Sequence, residues 1–277
     1  MISVIIPTFN RAGLLKKAIE SVFSQTYQDF ELIVIDDGSW DDTARLAADF
    51  TGRLTYIKQS NKGPSAARNL GIRSSGGEFV AFLDSDDWWD REKLALQIDG
   101  MQKNPSYLVS HTQEIWYKNG KLLNQKHRHR KFHGYIFDNC LPLCVVSMST
   151  VMIRRGLFDE VGLFDEGLRC CEDYDFWLRV SHKYPFLLID KGLTLKDGGR
   201  IDQVSFIYRQ GMDKFRIHSI LKIIKSGGLD EEQMNSAIQE LEKKCNIYGN
   251  GCIKYGKIEK ARYYLQLPEE VYKGVLT

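Results

Sequence analysis

The chain lacks any apolar run near membrane-spanning length, any paired CxxC motif and almost any net charge, and each absence closes a class of function. No segment offers the roughly 20 consecutive apolar residues of a transmembrane helix, so no membrane span is expected. The six cysteines, Cys140, Cys144, Cys170, Cys171, Cys245 and Cys252, give one C-x3-C spacing and one adjacent pair. That pattern matches neither a zinc site nor a disulfide framework, and buried or free thiols are expected. With 38 basic against 36 acidic residues and a net charge of +2, nothing demands a nucleic acid or an anionic membrane as partner. No GxGxxG stretch and no GxxxxGK followed by Ser or Thr supports a dinucleotide or kinase-type phosphate site. The first apolar strand begins at once, without a leader-like segment, which makes the cytoplasm, including attachment at the inner membrane face, the expected compartment.

What is present is a chain that is 43% hydrophobic, ample for a core, with acid concentrated at the ends of apolar runs. Phe79 to Trp89 reads FVAFLDSDDWW: Val80, Phe82 and Leu83 favour burial, and Asp84, Asp86 and Asp87 follow directly. Clustered carboxylates repel once ionised and need compensation. A divalent cation is the usual remedy, and Mg²⁺ or Mn²⁺ suits hard oxygen ligands and substrate phosphates. The same residues also make a polar turn and a cap for a helix starting near Asp90. Taken alone, the cluster leaves both readings open.

Two more strands precede it, and the second of them also ends in acid. Ser3 to Pro7 is a short β-branched run that leads into Thr8, Phe9 and Asn10, and then into a helical pattern with Leu14, Leu15, Ala18, Ile19, Val22 and Phe23 on one face. Glu31 to Ile35 ends in Asp36-Asp37-Gly38-Ser39. A helix from Asp41 to Phe50 and a third strand from Leu54 to Gln59 come next. This alternation predicts an α/β, doubly wound, mostly parallel sheet. Ligands of such sheets lie outside the carboxyl ends of the strands, where Pro7 to Asn10, Asp36 to Ser39 and Asp84 to Asp87 all fall.

In those residues the chain resembles glycosyltransferase family 2 with the GT-A fold. The resemblance rests on Pro7-Thr8-Phe9-Asn10, Asp36-Asp37-Gly38-Ser39, the stretch from Asn61 to Asn69, Asp84-Ser85-Asp86-Asp87 and Glu172-Asp173, in order over roughly the first 180 residues. It implies an inverting, metal-dependent enzyme that moves one sugar from a nucleotide diphosphate-sugar, in the first place a UDP-sugar, to a saccharide or lipid-linked saccharide acceptor. Pro7, Thr8, Asn10, Asp37, Arg68 and Asp84 would then surround the donor. Asp37 would accept the imide hydrogen of the base, with Asp36 capping its loop. Arg68 would offer its fork of donors to phosphate or ribose oxygens. In the DXD motif Asp86 would reach Mn²⁺ or Mg²⁺, and Asp84 the ribose or a metal-bound water. Asp173 would be the base for the acceptor hydroxyl. Each residue has a plainer use as well, Asp173 as a carboxylate in a helix first turn.

Departures narrow the reading. The QxxRW signature of processive polysaccharide synthases is missing, so single-sugar transfer is expected. Where related enzymes place a histidine near the metal stands Arg200, which cannot ligate; Asp197 or water would complete the coordination, or Arg200 would support the diphosphate. The run Lys126 to Lys131 with His133 is either a solvated loop or a landing place for an acidic acceptor. The expected division is residues 1–100 for the donor half, 101–212 for the acceptor half and 213–277 for a helical extension, with breaks at Gly227-Gly228 and at Gly249 to Gly251. That extension would pack on the catalytic domain or form a homo-oligomer. The rival readings are a nucleotidyltransferase, whose Gly-rich loop after strand one is missing here, and a non-catalytic sugar-nucleotide-binding scaffold.

Overall fold

The computed structural model describes residues 1–118, 120–123, 130–200 and 203–275. In chain order the elements are β1 (Ile2–Thr8), α1 (Ala12–Phe23), β2 (Phe30–Asp36), α2 (Thr43–Ala48), β3 (Thr55–Lys58), α3 (Pro64–Ser74), β4 (Phe79–Phe82), β5 (Asp87–Trp89), α4 (Lys93–Lys103), β6 (Val109–Lys118) and β7 (Lys121–Leu123). There follow α5 (Phe137–Cys140), β8 (Met152–Arg154), α6 (Leu157–Val161), α7 (Glu172–Ser181), β9 (Phe186–Asp197), α8 (Val204–Ile207), α9 (Asp213–Lys225), α10 (Glu231–Lys254) and α11 (Ile258–Val275). The strands form one sheet in the order β3-β2-β1-β4-β8-β6-β9-β5, with β7 hydrogen-bonded to β6.

The first half of the sheet, β3-β2-β1-β4, is parallel throughout. Its strands obey a period of two, because both faces are covered. Ile5, Ile33, Ile35, Val80 and Phe82 enter the layer that contains α3 and α7. Val4, Ile6, Leu32, Val34, Ala81 and Leu83 enter the layer under α1 and α4. Pro7 is tolerated in a central strand because its missing N–H faces the side where β4 has already ended: β4 pairs with β1 only through Ile5.

Beyond β4 the sheet changes character. β8 runs antiparallel to both β4 and β6, β9 runs parallel to β6, and β5 closes the far edge antiparallel to β9. β5 stands between the acidic cluster and the helix expected to start near Asp90. Asp87, Trp88 and Trp89 pair with Lys196, Leu195 and Thr194, and Trp89 is buried with its indole N–H donating to the Ser149 carbonyl at 2.7 Å. Helix α4 therefore begins only at Lys93.

The C-terminal helices share a core with the sheet layer: Ile217, Ile220, Ala237, Leu241, Cys245 and Leu267 cluster with Phe176 and Trp177. The break expected at Gly249 to Gly251 does not occur, since α10 runs through to Lys254 and the chain turns at Gly256, φ +69°. Gly249 serves contact instead: a Cβ there would stand 2.7 Å from Leu265 Cγ on α11. Among the described residues no helix is long and apolar enough to cross a membrane.

Candidate functional site

The carboxyl ends of β1, β2 and β4 lie side by side at one edge of the parallel strands, the place where ligands of such sheets bind. Two of the loops there are tied to each other by Asn10, whose φ is +51°. Its N–H donates to Ser39 Oγ at 2.8 Å, and its side-chain oxygen accepts from Trp40 N–H at 2.9 Å. Asn10, expected at the nucleotide, thus acts as a strut between β1 and β2. The Thr8 hydroxyl beside it is buried and has no hydrogen-bond partner among the described residues. Asp36 caps its own loop, accepting from Ser39 N–H at 2.7 Å and from the Tyr56 hydroxyl. Gly38 is required by its φ of +88° and by the neighbouring chain, because a Cβ there would stand 2.8 Å from Asn61 N.

Asp37 organises the next loop. Its carboxylate accepts from Gln59 Nε2 at 2.7 Å, Lys62 N–H at 2.9 Å and Gly63 N–H at 2.8 Å. A carboxylate offers about four acceptor positions. One position therefore remains for an outside donor.

The acidic cluster after β4 is compensated by side-chain cations, one for each carboxylate. Asp84 accepts from Arg68 Nη2 at 2.9 Å. Burial opposes its ionisation, but the charges of Arg68, Lys196 and Arg11 outweigh burial and hold its carboxyl below the ordinary range. Asp87 is buried, accepts from Ser149 Oγ at 2.6 Å and pairs with Lys196 Nζ at 2.8 Å. Lys196 in turn is kept protonated against burial by Asp87, Glu114 and Asp84. Asp86 pairs with Arg11 Nη1 at 3.2 Å and accepts from Gln203 Nε2 at 3.3 Å. Burial, with the charges of Asp86 and Asp84, still pushes the Asp87 carboxyl up to about 7 against the pull of Lys196, so the cations compensate the cluster only in part. Arg11 and Lys196 stand at the ends of two stretches singled out in the sequence, Pro7 to Arg11 and Lys196 to Arg200, but the sequence assigns neither a role; Gln203, which also reaches the Asp197 carbonyl at 3.2 Å, lies outside every such stretch, close to Arg200 and Asp197.

Among the described residues no group of three or more His, Cys, Asp or Glu side chains is placed to hold a metal ion. The donor set therefore fits a hard cation only when a substrate supplies most of the ligands, with Asp86 contributing its carboxylate. Mg²⁺ is commonly held in that way, by one or two carboxylates and phosphate oxygens.

Arg68 is buried and does not face open solvent. Its Nη1 donates to Glu172 Oε1 at 2.5 Å and its Nη2 to Asp84, and its Nε is buried without a hydrogen-bond partner among the described residues. Burial disfavours its charge, but Asp84 and Glu172 hold it protonated. Glu172 opens α7 after Cys171, a non-glycine residue at φ +64°. Burial pushes the Glu172 carboxyl up, against the pull of Arg68. Next to it, Asp173 accepts from Tyr174 N–H at 2.7 Å. The Cys144 thiol also lies against Asp173: burial, then the charge and hydrogen bond of Asp173, push that thiol well up. Cys170 and Cys171 place their sulfurs 3.6 Å apart at the foot of the helix, and both are buried. Asn69, from the same sequence stretch as Arg68, clamps the preceding loop by bonds to Phe164 and Glu166.

Of the basic run, Lys126 to His129 lie outside the described residues. Lys131 is no solvated residue: it is buried and pairs with Glu114 at 2.8 Å, while also donating to the Val145 carbonyl at 2.8 Å. His133 packs against Tyr107.

A model of the family described as "Glycosyl transferase family 2" matches residues 3–162. An uncharacterized glycosyltransferase of Rickettsia felis is 41% identical over 197 residues, 70% of this chain and 32% of that protein; the chain thus spans about a third of the length of that relative. The Escherichia coli protein named UDP-Glc:alpha-D-GlcNAc-diphosphoundecaprenol beta-1,3-glucosyltransferase WfgD is 32% identical over 185 residues, 65% of this chain and 69% of that one. Among solved structures, S. aureus TarS 1-349 in complex with UDP-GlcNAc superposes with a TM-score of 0.66 at 19% identity, covering 99% of this chain and 92% of that one. The mannosyltransferase PcManGT from Pyrobaculum calidifontis, in complex with GDP-Man and Mn²⁺, gives 0.59 at 15% identity, covering 98% and 84%. These two likenesses establish a shared GT-A type of fold.

Proposed function

Since the chain belongs to glycosyltransferase family 2, we propose that it moves one hexosyl unit, with inversion, from a UDP-sugar to a hydroxyl of a glycan or lipid-linked saccharide. The observation that carries this reading is the Asp84–Arg68–Glu172 bridge, in which one guanidinium joins the acidic end of β4 to the acidic start of α7. Asp84, proposed to face the donor, and the first turn of α7 that carries Asp173, the proposed base, are thereby neighbours. The UDP-GlcNAc bound by TarS supports the uridine donor. The name of the E. coli relative, with its UDP-glucose, diphosphoundecaprenol-linked acceptor and β linkage, supports inversion and a lipid-linked acceptor. Residues 1–100 would form the donor half and 101–212 the acceptor half, with 213–277 as a supporting extension. A cytoplasmic setting suits such a donor.

In this scheme Asp37 uses its remaining acceptor position for the imide hydrogen of the uracil. Thr8 and Pro7 line the crevice floor, and Asp84 meets the ribose. A divalent cation, Mn²⁺ or Mg²⁺, shared by Asp86 and the diphosphate would supply Lewis-acid neutralisation of the leaving group. Asp173 takes the proton of the acceptor hydroxyl as its oxygen bonds to the anomeric carbon and the bond to UDP breaks.

The reading is tested by isothermal titration and thermal shift with UDP, UDP-glucose, UDP-GlcNAc and GDP-mannose, each with and without Mn²⁺. UDP and a UDP-sugar are expected to stabilise the protein more in the presence of Mn²⁺. Asp86→Ala should remove the Mn²⁺-dependent part of that shift, read against the variant's own unliganded melting temperature, since Arg11 and Gln203 lose a partner with the carboxylate. Equal shifts by UDP with and without Mn²⁺ in the wild type would sink the metal role. Asp37→Ala should weaken UDP by about 1–3 kcal/mol through the lost charged hydrogen bond. Wild-type binding of GDP as tight as that of UDP would show that Asp37 does not read the base.

A further inference from the structure

We infer that Arg68 and Glu172 are positioning residues: the Asp84–Arg68–Glu172 bridge, buried at Arg68 and Glu172 and partly exposed at Asp84, holds the first turn of α7, and with it Asp173, at a set place against the donor site. The inference rests on the proposed role of Asp173 as base. Arg68 comes from α3, Asp84 from the end of β4 and Glu172 from the first residue of α7, so three separate elements meet at one guanidinium. The side chains of Arg68 and Glu172 are only 6% and 9% exposed, so the pairing is insulated from solvent and from salt.

A buried ionic group of this kind is weak evidence of stabilisation, since well-packed apolar replacements are often neutral or better. Geometry is what it supplies. Arg68 Nε is left without a hydrogen-bond partner among the described residues, as expected of a guanidinium oriented by its two carboxylates and not by the satisfaction of all five donors. On the other side, the chain enters α7 through Cys171 at φ +64°, a conformation that persists for a non-glycine residue only where the surroundings enforce it. Glu172 is the next residue and Asp173 the one after. Anchoring Glu172 therefore fixes the turn from which Asp173 projects, and the same guanidinium that Asp84 engages on the donor side sets its distance.

Two measurements separate this positioning role from a merely structural one. In hydrolysis of the UDP-sugar that stabilises the protein most, with water in place of the acceptor, Glu172→Ala is expected to lower kcat by about 10²-fold, the usual consequence of misplacing a catalytic group by about 1 Å. The donor KM should stay within about twofold. Glu172→Gln keeps an acceptor for Arg68, so most of kcat should return with the donor KM unchanged. A merely structural residue would change the melting temperature without this split between kcat and KM. Wild-type kcat in Glu172→Ala, or a Glu172→Gln variant no more active than Glu172→Ala, overturns the inference. Independently of turnover, the melting temperatures of Asp84→Asn, Glu172→Gln and the double variant should show a loss in the double variant larger than the sum of the singles, because only there is the buried guanidinium without any anionic partner. Additive losses overturn the bridge. A wild type that hydrolyses no UDP-sugar, with the double variant still more than additive, would sink the assignment of the base and leave the bridge standing.

Discussion

Asp173→Asn is expected to bind UDP as the wild type does and to lose transfer by a factor of about 10² to 10⁴, the usual worth of general base catalysis. Asparagine keeps the shape and can still accept from Tyr174 N–H, so the start of α7 should be undisturbed. Only basicity is removed. A single displacement needs a base on the acceptor side and no enzyme nucleophile, so kcat and kcat/KM should fall together while the donor affinity measured by titration holds. An α-linked donor should give a β-linked product, read by the anomeric coupling in the NMR spectrum. Retained configuration, or near-normal turnover with the true acceptor, would reduce Asp173 to a helix-terminus residue and move the base elsewhere.

Glu114→Gln is expected to lower the free energy of unfolding by about 3–5 kcal/mol at neutral pH, the range for stripping one partner from a buried ion pair. Glu114 and Lys131 side chains are 1% and 4% exposed, and their contact is 2.8 Å. Lys131 would be left charged with neutral acceptors only, the glutamine amide oxygen, the Val145 carbonyl and the Ser147 hydroxyl. Urea unfolding at several pH values tests the pairing twice. Burial opposes ionisation of Glu114, but Lys131, with Lys196 behind it, brings its carboxyl down to about 2 from an ordinary 4.5. A depressed carboxyl stabilises above its unfolded pKa, and that stabilisation is lost as the pH falls toward its folded pKa. The gap between wild type and Glu114→Gln should therefore be full above about pH 4.5 and close as the pH falls toward 2. A gap below about 1 kcal/mol at pH 7 would mean that the pair is solvated. His111, on the same strand, adds to acid sensitivity: burial, with the Lys131 charge, pushes it down to about 3 from 6.5, so the unfolded chain binds its proton first and stability declines as the pH falls below about 6.5.

The parallel half of the sheet was legible in the sequence because its signals are local. β-branched runs and intervening helical stripes, with acid at the ends of two strands, predict β1, β2, β3 and β4 to within a residue or two. Parallel strands then bring both acidic ends, and the Thr8 to Asn10 end of β1, to one side, whatever the side chains do afterwards. The glycine of Asp36-Asp37-Gly38-Ser39 was legible for the same reason, since a tight turn needs a positive φ. β5 was not. Asp87, Trp88 and Trp89 are as compatible with a helix entry as with a strand, and only the distant edge of β9 decides between them. Gly249 misled in the opposite sense, since a glycine that breaks a helix and one that lets a second helix approach look alike in one dimension.

By itself, then, the sequence determined which carboxylates gather at the crevice, through strand order and strand ends. The tertiary structure alone decided what each carboxylate does there. Arg68 and Glu172 are 104 residues apart, and Asp86 meets a glutamine 117 residues away, so no spacing or pattern connects them. A charged side chain is read from sequence as a solvated group or a ligand contact, because both are common and the desolvation that converts it into a buried partner depends on what packs above it. The packing of α3 against α7, and of β6 beside the segment carrying Lys131, turned Arg68 and Lys131 inward. That burial, not residue type, made one of them a bridge between the two acids of the crevice and the other the counter-charge of Glu114.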